Sequence, residues 1–179
     1  MTDTPGAARR TQKDPGLPLP GREGEEVAFE RTVPARTDRL TGRSRDRIRA
    51  IDVLYEADAR GRAVREVLED RIARTAAQSP LPQWSRELVS LYAQHAEEID
   101  EQLATHSRDW PLQRMPAVDR AILRLGAAEV VHGPEEPDTP RGVIVGEYTK
   151  IAEVLSTEGS PRFVNGLLQR LLDMRSMLG

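Results

Sequence analysis

Residues 43–55 read Arg-Ser-Arg-Asp-Arg-Ile-Arg-Ala-Ile-Asp-Val-Leu-Tyr, and two patterns overlap in them. Arg43, Arg45, Arg47 and Arg49 place four guanidinium groups within seven residues. Ile48, Ile51, Leu54 and Tyr55 then recur at the three- and four-residue spacing of a helix with one apolar face. The stretch therefore predicts a helix, about 44–59, whose first turns are basic and whose later turns anchor in a core. Cations at a helix N-terminus oppose its macrodipole by roughly 0.3–1 kcal/mol each when exposed. Their presence there suits a grip on a phosphate backbone. A solvated helix face is the plain alternative.

Outward from this stretch the periodicity stays helical. Gly61 should end the first helix, and a second over about 62–77 puts Val64, Val67, Leu68 and Ile72 on one face. Ser79-Pro80-Leu81-Pro82 breaks the chain. A third helix, about 83–105, carries the stripe Trp84, Leu88, Leu91, His95, Ile99, Leu103. Trp110-Pro111-Leu112 is a bend with room for one helical turn. A fourth helix, about 117–132, follows Pro116 and stops at Gly133-Pro134. Residues 133–142 form a proline-rich surface loop. A helix over about 143–155 follows, with Gly146 expected to allow close approach to a neighbour. The last helix opens at Ser160-Pro161 and runs to about 176, with Val164, Leu167, Leu168 and Leu171 inward. The expectation is an all-α fold of about seven helices: one globular domain over 41–179, built as two small packed bundles. Residues 1–40 contain five prolines, four glycines and seven charges of each sign, with Val27-Ala28-Phe29 as the only apolar cluster. Such a segment cannot bury enough surface to offset its ordering entropy, so a disordered tail is expected.

Composition narrows the function. Of 179 residues, 38% are hydrophobic, enough for a core if the tail needs none. The net charge of −3 makes any nucleic-acid contact local rather than global. With no cysteine, disulfides and thiolate metal sites are excluded. No run is apolar enough for a membrane span, and the N-terminus lacks a signal-peptide pattern, so a cytoplasmic protein is expected. His95, His106 and His132 lie on different elements, none at metal-ligand spacing, and His95 reads as a core or boundary residue. There is no nucleophile elbow, phosphate-cradling loop or dinucleotide fingerprint. Glu97-Glu98 and Glu135-Glu136 sit where solvated charges usually sit. The reading is a binding protein with no catalytic residue, metal or cofactor. Among the sparse aromatics, Tyr55 either stacks a base or caps the core. Phe163, beside Arg162 at a helix start, either meets an unpaired base or packs inward.

Three blocks carry a resemblance. Ala50-Ile51-Asp52-Val53-Leu54-Tyr55, after the Arg run, resembles the opening helix of the NusB family of bacterial transcription antitermination factors. Val118-Asp119-Arg120-Ala121-Ile122-Leu123-Arg124, followed by Glu129, is similar to the family's second signature. Ser160-Pro161-Arg162-Phe163-Val164-Asn165-Gly166-Leu167-Leu168 is similar to its third. The resemblance implies an all-helical double bundle that binds boxA-type, single-stranded RNA of ribosomal RNA transcripts. It implies that the chain does so together with NusE, a ribosomal protein, and acts on the elongating RNA polymerase complex. By motif match the RNA side comprises Arg43, Arg45, Arg47, Arg49, Tyr55, Arg162, Phe163 and Asn165. Asp119, Arg124 and Glu129 lie toward NusE. For Asn165 and Gly166 the alternative is holding the last helix close to its neighbour. Some family members self-associate through the RNA-facing surface, so a homodimer is a further implication. Asp46 departs from the pattern by interrupting the Arg run, and Gly146 replaces a polar residue. The competing reading is a helical protein-interaction module whose Arg-rich helix binds an acidic partner.

Overall fold

The computed structural model describes residues 40–74, 80–107, 110–134 and 139–178. The expected tail lies outside the described residues except for Leu40, which is buried. So does the acidic pair at 135–136. Among the described residues there are six α-helices and one short 3-10 turn. They are α1 (Gly42–Arg60), α2 (Val64–Arg74), α3 (Gln83–His106), the turn Leu112–Arg114, α4 (Ala117–His132), α5 (Arg141–Leu155) and α6 (Ser160–Leu178).

Local chemistry sets the ends. Thr41 caps α1 by accepting the Ser44 N–H at 3.1 Å through its hydroxyl. Gly61 closes α1 in the left-handed region (φ 59°), with its N–H returned to the Ala57 and Asp58 carbonyls. Where α4 stops, the Arg141 guanidinium donates to the carbonyls of Glu129, Val130 and Gly133, of which Glu129 also accepts the Gly133 N–H.

Helices α1, α2 and α3 pack on one another, and α4, α5 and α6 do the same. Helix α4 joins the groups, touching α1, α3, α5 and α6. This is the expected pair of small bundles, with α4 as the shared wall. Accordingly α4 is buried almost all round: Ala121, Ile122, Leu123, Leu125, Ala127, Ala128 and Val130 are each at most 2% exposed.

Three expectations are corrected. Ile72 is 41% exposed, because it sits in the last turn of α2 at the margin of the stripe that Val67 and Leu68 bury. Gly146 and Gly166 have open space where a Cβ would stand, so neither marks a close approach. That role belongs to Gly126 on α4, where a Cβ would stand 2.8 Å from Leu168 Cδ1 and 3.2 Å from Tyr148 Cγ. The α3 stripe is also wider than its apolar spacing implied, since Val89 and Tyr92 are buried while His95 is only partly so.

Candidate nucleic-acid interface

The four arginines of α1 divide by helical phase. Arg45 and Arg49 are one turn apart on the outer face, exposed, and make no ion pair among the described residues. Arg43 is also exposed; its guanidinium lies over the Trp84 ring of α3, 4.4 Å from the centroid. Arg47 points inward. Its side chain is 5% exposed and pairs with Glu129 of α4 through Nε at 2.9 Å and Nη2 at 2.5 Å. This fork-on-carboxylate geometry is the strong form of the contact. Tyr148 of α5 donates its hydroxyl to the same carboxylate at 2.7 Å, and the Trp84 and Tyr148 rings flank the guanidinium. Burial alone would lower the Arg47 pKa, but the hydrogen bond to Glu129 and the surrounding charges raise it, so the group stays cationic. Burial first, then Glu129, pushes the Tyr148 hydroxyl well up, so it stays a donor.

Arg47 is therefore an anchor that ties α1 to α4 and α5, not a surface cation. A second tie runs parallel to it: the buried Ser44 hydroxyl donates to Glu147 of α5. Glu147 also accepts from Lys150, and these donors with Arg47 outweigh burial and hold its carboxyl below the usual range. The Ser85 hydroxyl holds the Asp46 carbonyl at 2.8 Å. The basic face is thus fixed by its inward neighbours. An open groove of about 230 Å³ runs beside it, lined in part by Thr41, Arg43, Trp84, Val143 and Glu147. Tyr55, two turns beyond Arg49, is 46% exposed and does not cap the core.

The start of α6 forms a separate surface. Arg162 and Asn165 are exposed. Asn165 donates to the Thr149 hydroxyl at 3.0 Å, which ties α6 to α5. Phe163 is partly buried and packs against Trp110, with ring centroids 4.9 Å apart. A pocket of about 350 Å³ opens there, lined by His106, Arg162, Phe163, Gly166 and Arg170 among others.

Of the residues assigned to the partner side, Asp119 and Glu129 are buried and Arg124 is partly exposed. Asp119 is fully buried and accepts the Ser160 hydroxyl at 2.7 Å, so one carboxylate serves the first turn of α4 and the positive end of α6. Arg124 is 19% exposed and closes on Asp100 at 2.6 Å and Asp58 at 3.1 Å. Glu129 is consumed by Arg47 and Tyr148.

The sequence profile of the NusB family matches residues 44–173. The chain belongs to the NusB family. A transcription antitermination protein NusB of Kineococcus radiotolerans is 45% identical over 139 residues, spanning 78% of this chain and 98% of the relative. One from Streptomyces griseus is 44% identical over 142 residues, 78% of this chain and 97% of its own. Among solved structures, NusB of T. maritima superposes with a TM-score of 0.59 at 28% identity, covering 74% of this chain and 92% of that one. A crystal structure of the antitermination factors NusB and NusE in complex with dsRNA matches at 0.60 and 26%, covering 75% of this chain and 99% of that chain.

Sequence reasoning missed Trp84 as the shelf under Arg43, Tyr148 and Glu147 as inward partners, and the Ser160–Asp119 contact. The one signal for the buried pair was Glu129 standing in the acid position of the family block. His95 and His132 lie on different elements and at no metal-ligand spacing in the sequence, yet their rings stack.

Proposed function

We propose that the chain is an RNA-binding transcription antitermination factor. It binds boxA-type RNA of ribosomal RNA transcripts together with NusE and acts on the elongating RNA polymerase complex, in the cytoplasm. The observation that carries this reading is the division of the Arg run. Arg43, Arg45 and Arg49 face solvent on a helix that the buried Arg47–Glu129 pair locks in place. Three cations on a rigid element position a phosphate backbone, while base contacts supply sequence preference. Tyr55, half exposed on the same helix, offers a ring for stacking. Arg162, Phe163 and Asn165 extend the RNA path at the start of α6. Arg47 acts by positioning.

Asp119, Arg124 and Glu129 contribute to the NusE side by fixing α4 against its neighbours rather than by direct contact. With few phosphates engaged, affinity for RNA alone is modest, and NusE raises it by adding a second contact surface. The NusB–NusE structure with dsRNA supports the pairing of this fold with both partners.

Fluorescence anisotropy tests this with single-stranded boxA RNA, a scrambled strand and a duplex, each with and without NusE. Preference for boxA that tightens with NusE is expected. Sequence-blind binding would leave only a general RNA grip. No RNA binding in any condition would return the Arg face to an acidic protein partner. Concentration-dependent loss of RNA binding with dimer formation would mark the same face as self-associating.

A further inference from the structure

Helix α3 is interrupted at His95, whose backbone (φ −120°, ψ 19°) is not helical. Its ring stacks on that of His132, the last residue of α4, with centroids 3.8 Å apart and planes within 7°. Glu98, one turn after His95, faces both. His95 Nδ1 is 3.7 Å from Glu98 Oε2, and His132 Nε2 is 3.5 Å from Glu98 Oε1. One ligand atom from each of the three residues lies within 4.8 Å of the others. His132 Nε2 is buried and has no hydrogen-bond partner among the described residues. A buried ring nitrogen aimed at a carboxylate without bonding it is an unmet polar group, and such groups call for an explanation.

Arg175 of α6 is close enough to His132 to act on its charge. A neutral imidazole with a lone pair is the form that ligates metals. The Arg175 charge counts against any cation there, so only an ion gaining strong inner-sphere bonds would bind. Two imidazole nitrogens and a carboxylate oxygen suit zinc and its late first-row neighbours, whereas magnesium and calcium prefer oxygen sets.

We propose that His95, Glu98 and His132 form a site for a divalent transition-metal ion of the zinc class, which clamps the kinked middle of α3 to the C-terminal end of α4. Three protein ligands leave a fourth position to solvent. Closing to metal–ligand distances of about 2 Å requires the stacked rings to fan apart. His95 and Glu98, 35% and 50% exposed, have room to turn. The clamp holds the stretch of α4 that ends one turn after Glu129, the counter-ion of Arg47. The metal thereby braces the element that fixes the basic face without touching RNA.

Calorimetric titration of the full chain with Zn²⁺, with Mg²⁺ as control, reads the site directly, and thermal unfolding with and without Zn²⁺ reads the clamp. One zinc per chain is expected, with a raised Tm and no magnesium binding. His95→Ala, Glu98→Gln and His132→Gln should each weaken zinc by at least about tenfold, whereas His106→Ala leaves it unchanged. His95→Ala and Glu98→Gln change partly exposed side chains, so their circular dichroism should match the parent and keep the comparison valid if His132→Gln unfolds. Absence of saturable zinc binding, binding that survives these substitutions, or an unshifted Tm at saturating zinc would overturn the proposal.

Discussion

Arg47 and Glu129 stand 82 residues apart in sequence and share one buried contact. Removing one partner leaves an uncompensated charge in the interior, which costs about 3–5 kcal/mol, whereas replacing both with apolar groups is often neutral. Arg47→Ala should therefore lower the urea midpoint sharply, while Arg47→Met combined with Glu129→Met recovers most of it. Arg45→Ala and Arg49→Ala should leave the midpoint unchanged, because both side chains are exposed and make no ion pair among the described residues. The glycines divide in the same way. Gly126→Val drives side-chain atoms into Leu168 and the Tyr148 ring and should cost at least about 2 kcal/mol. Gly146→Ala meets nothing and should stabilise α5 by about 0.5–1 kcal/mol through helix propensity. Urea denaturation of the two variants checks the contrast. Composition could not distinguish these glycines. Both lie in helix interiors, and the packing of α5 and α6 on α4 separates them.

At the scale of the element, α1 is joined to α4 by ion pairs as well as by its apolar face. Asp58 of α1 meets Arg120 at 2.5 Å and Arg124 at 3.1 Å. Burial raises the carboxyl pKa, but the two guanidinium groups outweigh it and hold it below its ordinary value. A depressed folded-state pKa contributes stability above the unfolded value of about 3.9. That contribution is lost as the pH falls through the lower folded value. Asp58→Asn should thus lower stability at neutral pH and flatten its acid-side decline, which thermal unfolding between pH 6 and the acid limb would display. The helices themselves are legible in the sequence because each buries one stripe. Helix α4 is expected at 117–132 and spans Ala117–His132, since Pro116 and Gly133 punctuate it. The second helix is less legible. It begins at Val64 rather than 62, its expected last turn at 75–77 lies outside the described residues, and Ile72 faces solvent. Spacing alone does not say where a neighbouring helix stops covering a stripe. The kink at His95 carries no proline or glycine signal.

For the whole molecule, α4 is the wall on which both bundles lean, and the family's second block is mostly its buried surface. Asp119 and Glu129 lie inside and Arg124 is partly exposed, and each is engaged with a neighbouring helix. The Arg run is legible as charge, but its division into an anchor and a solvent face requires the position of Glu129. Among the described residues no helix is long and apolar enough to cross a membrane.

A grip on RNA phosphates by the outer arginines of α1, on a helix whose geometry the buried pair sets, has its readout in salt dependence. The salt dependence of boxA RNA affinity, measured with NusE present for the parent chain and for Arg45→Ala with Arg49→Ala, tests it most directly. Weaker binding and a log–log salt slope shallower by about 0.7 for each phosphate that the variant no longer neutralises are expected, with an unchanged melting temperature. An unchanged slope in a folded double variant would place the RNA contact elsewhere and contradict a grip by Arg45 and Arg49.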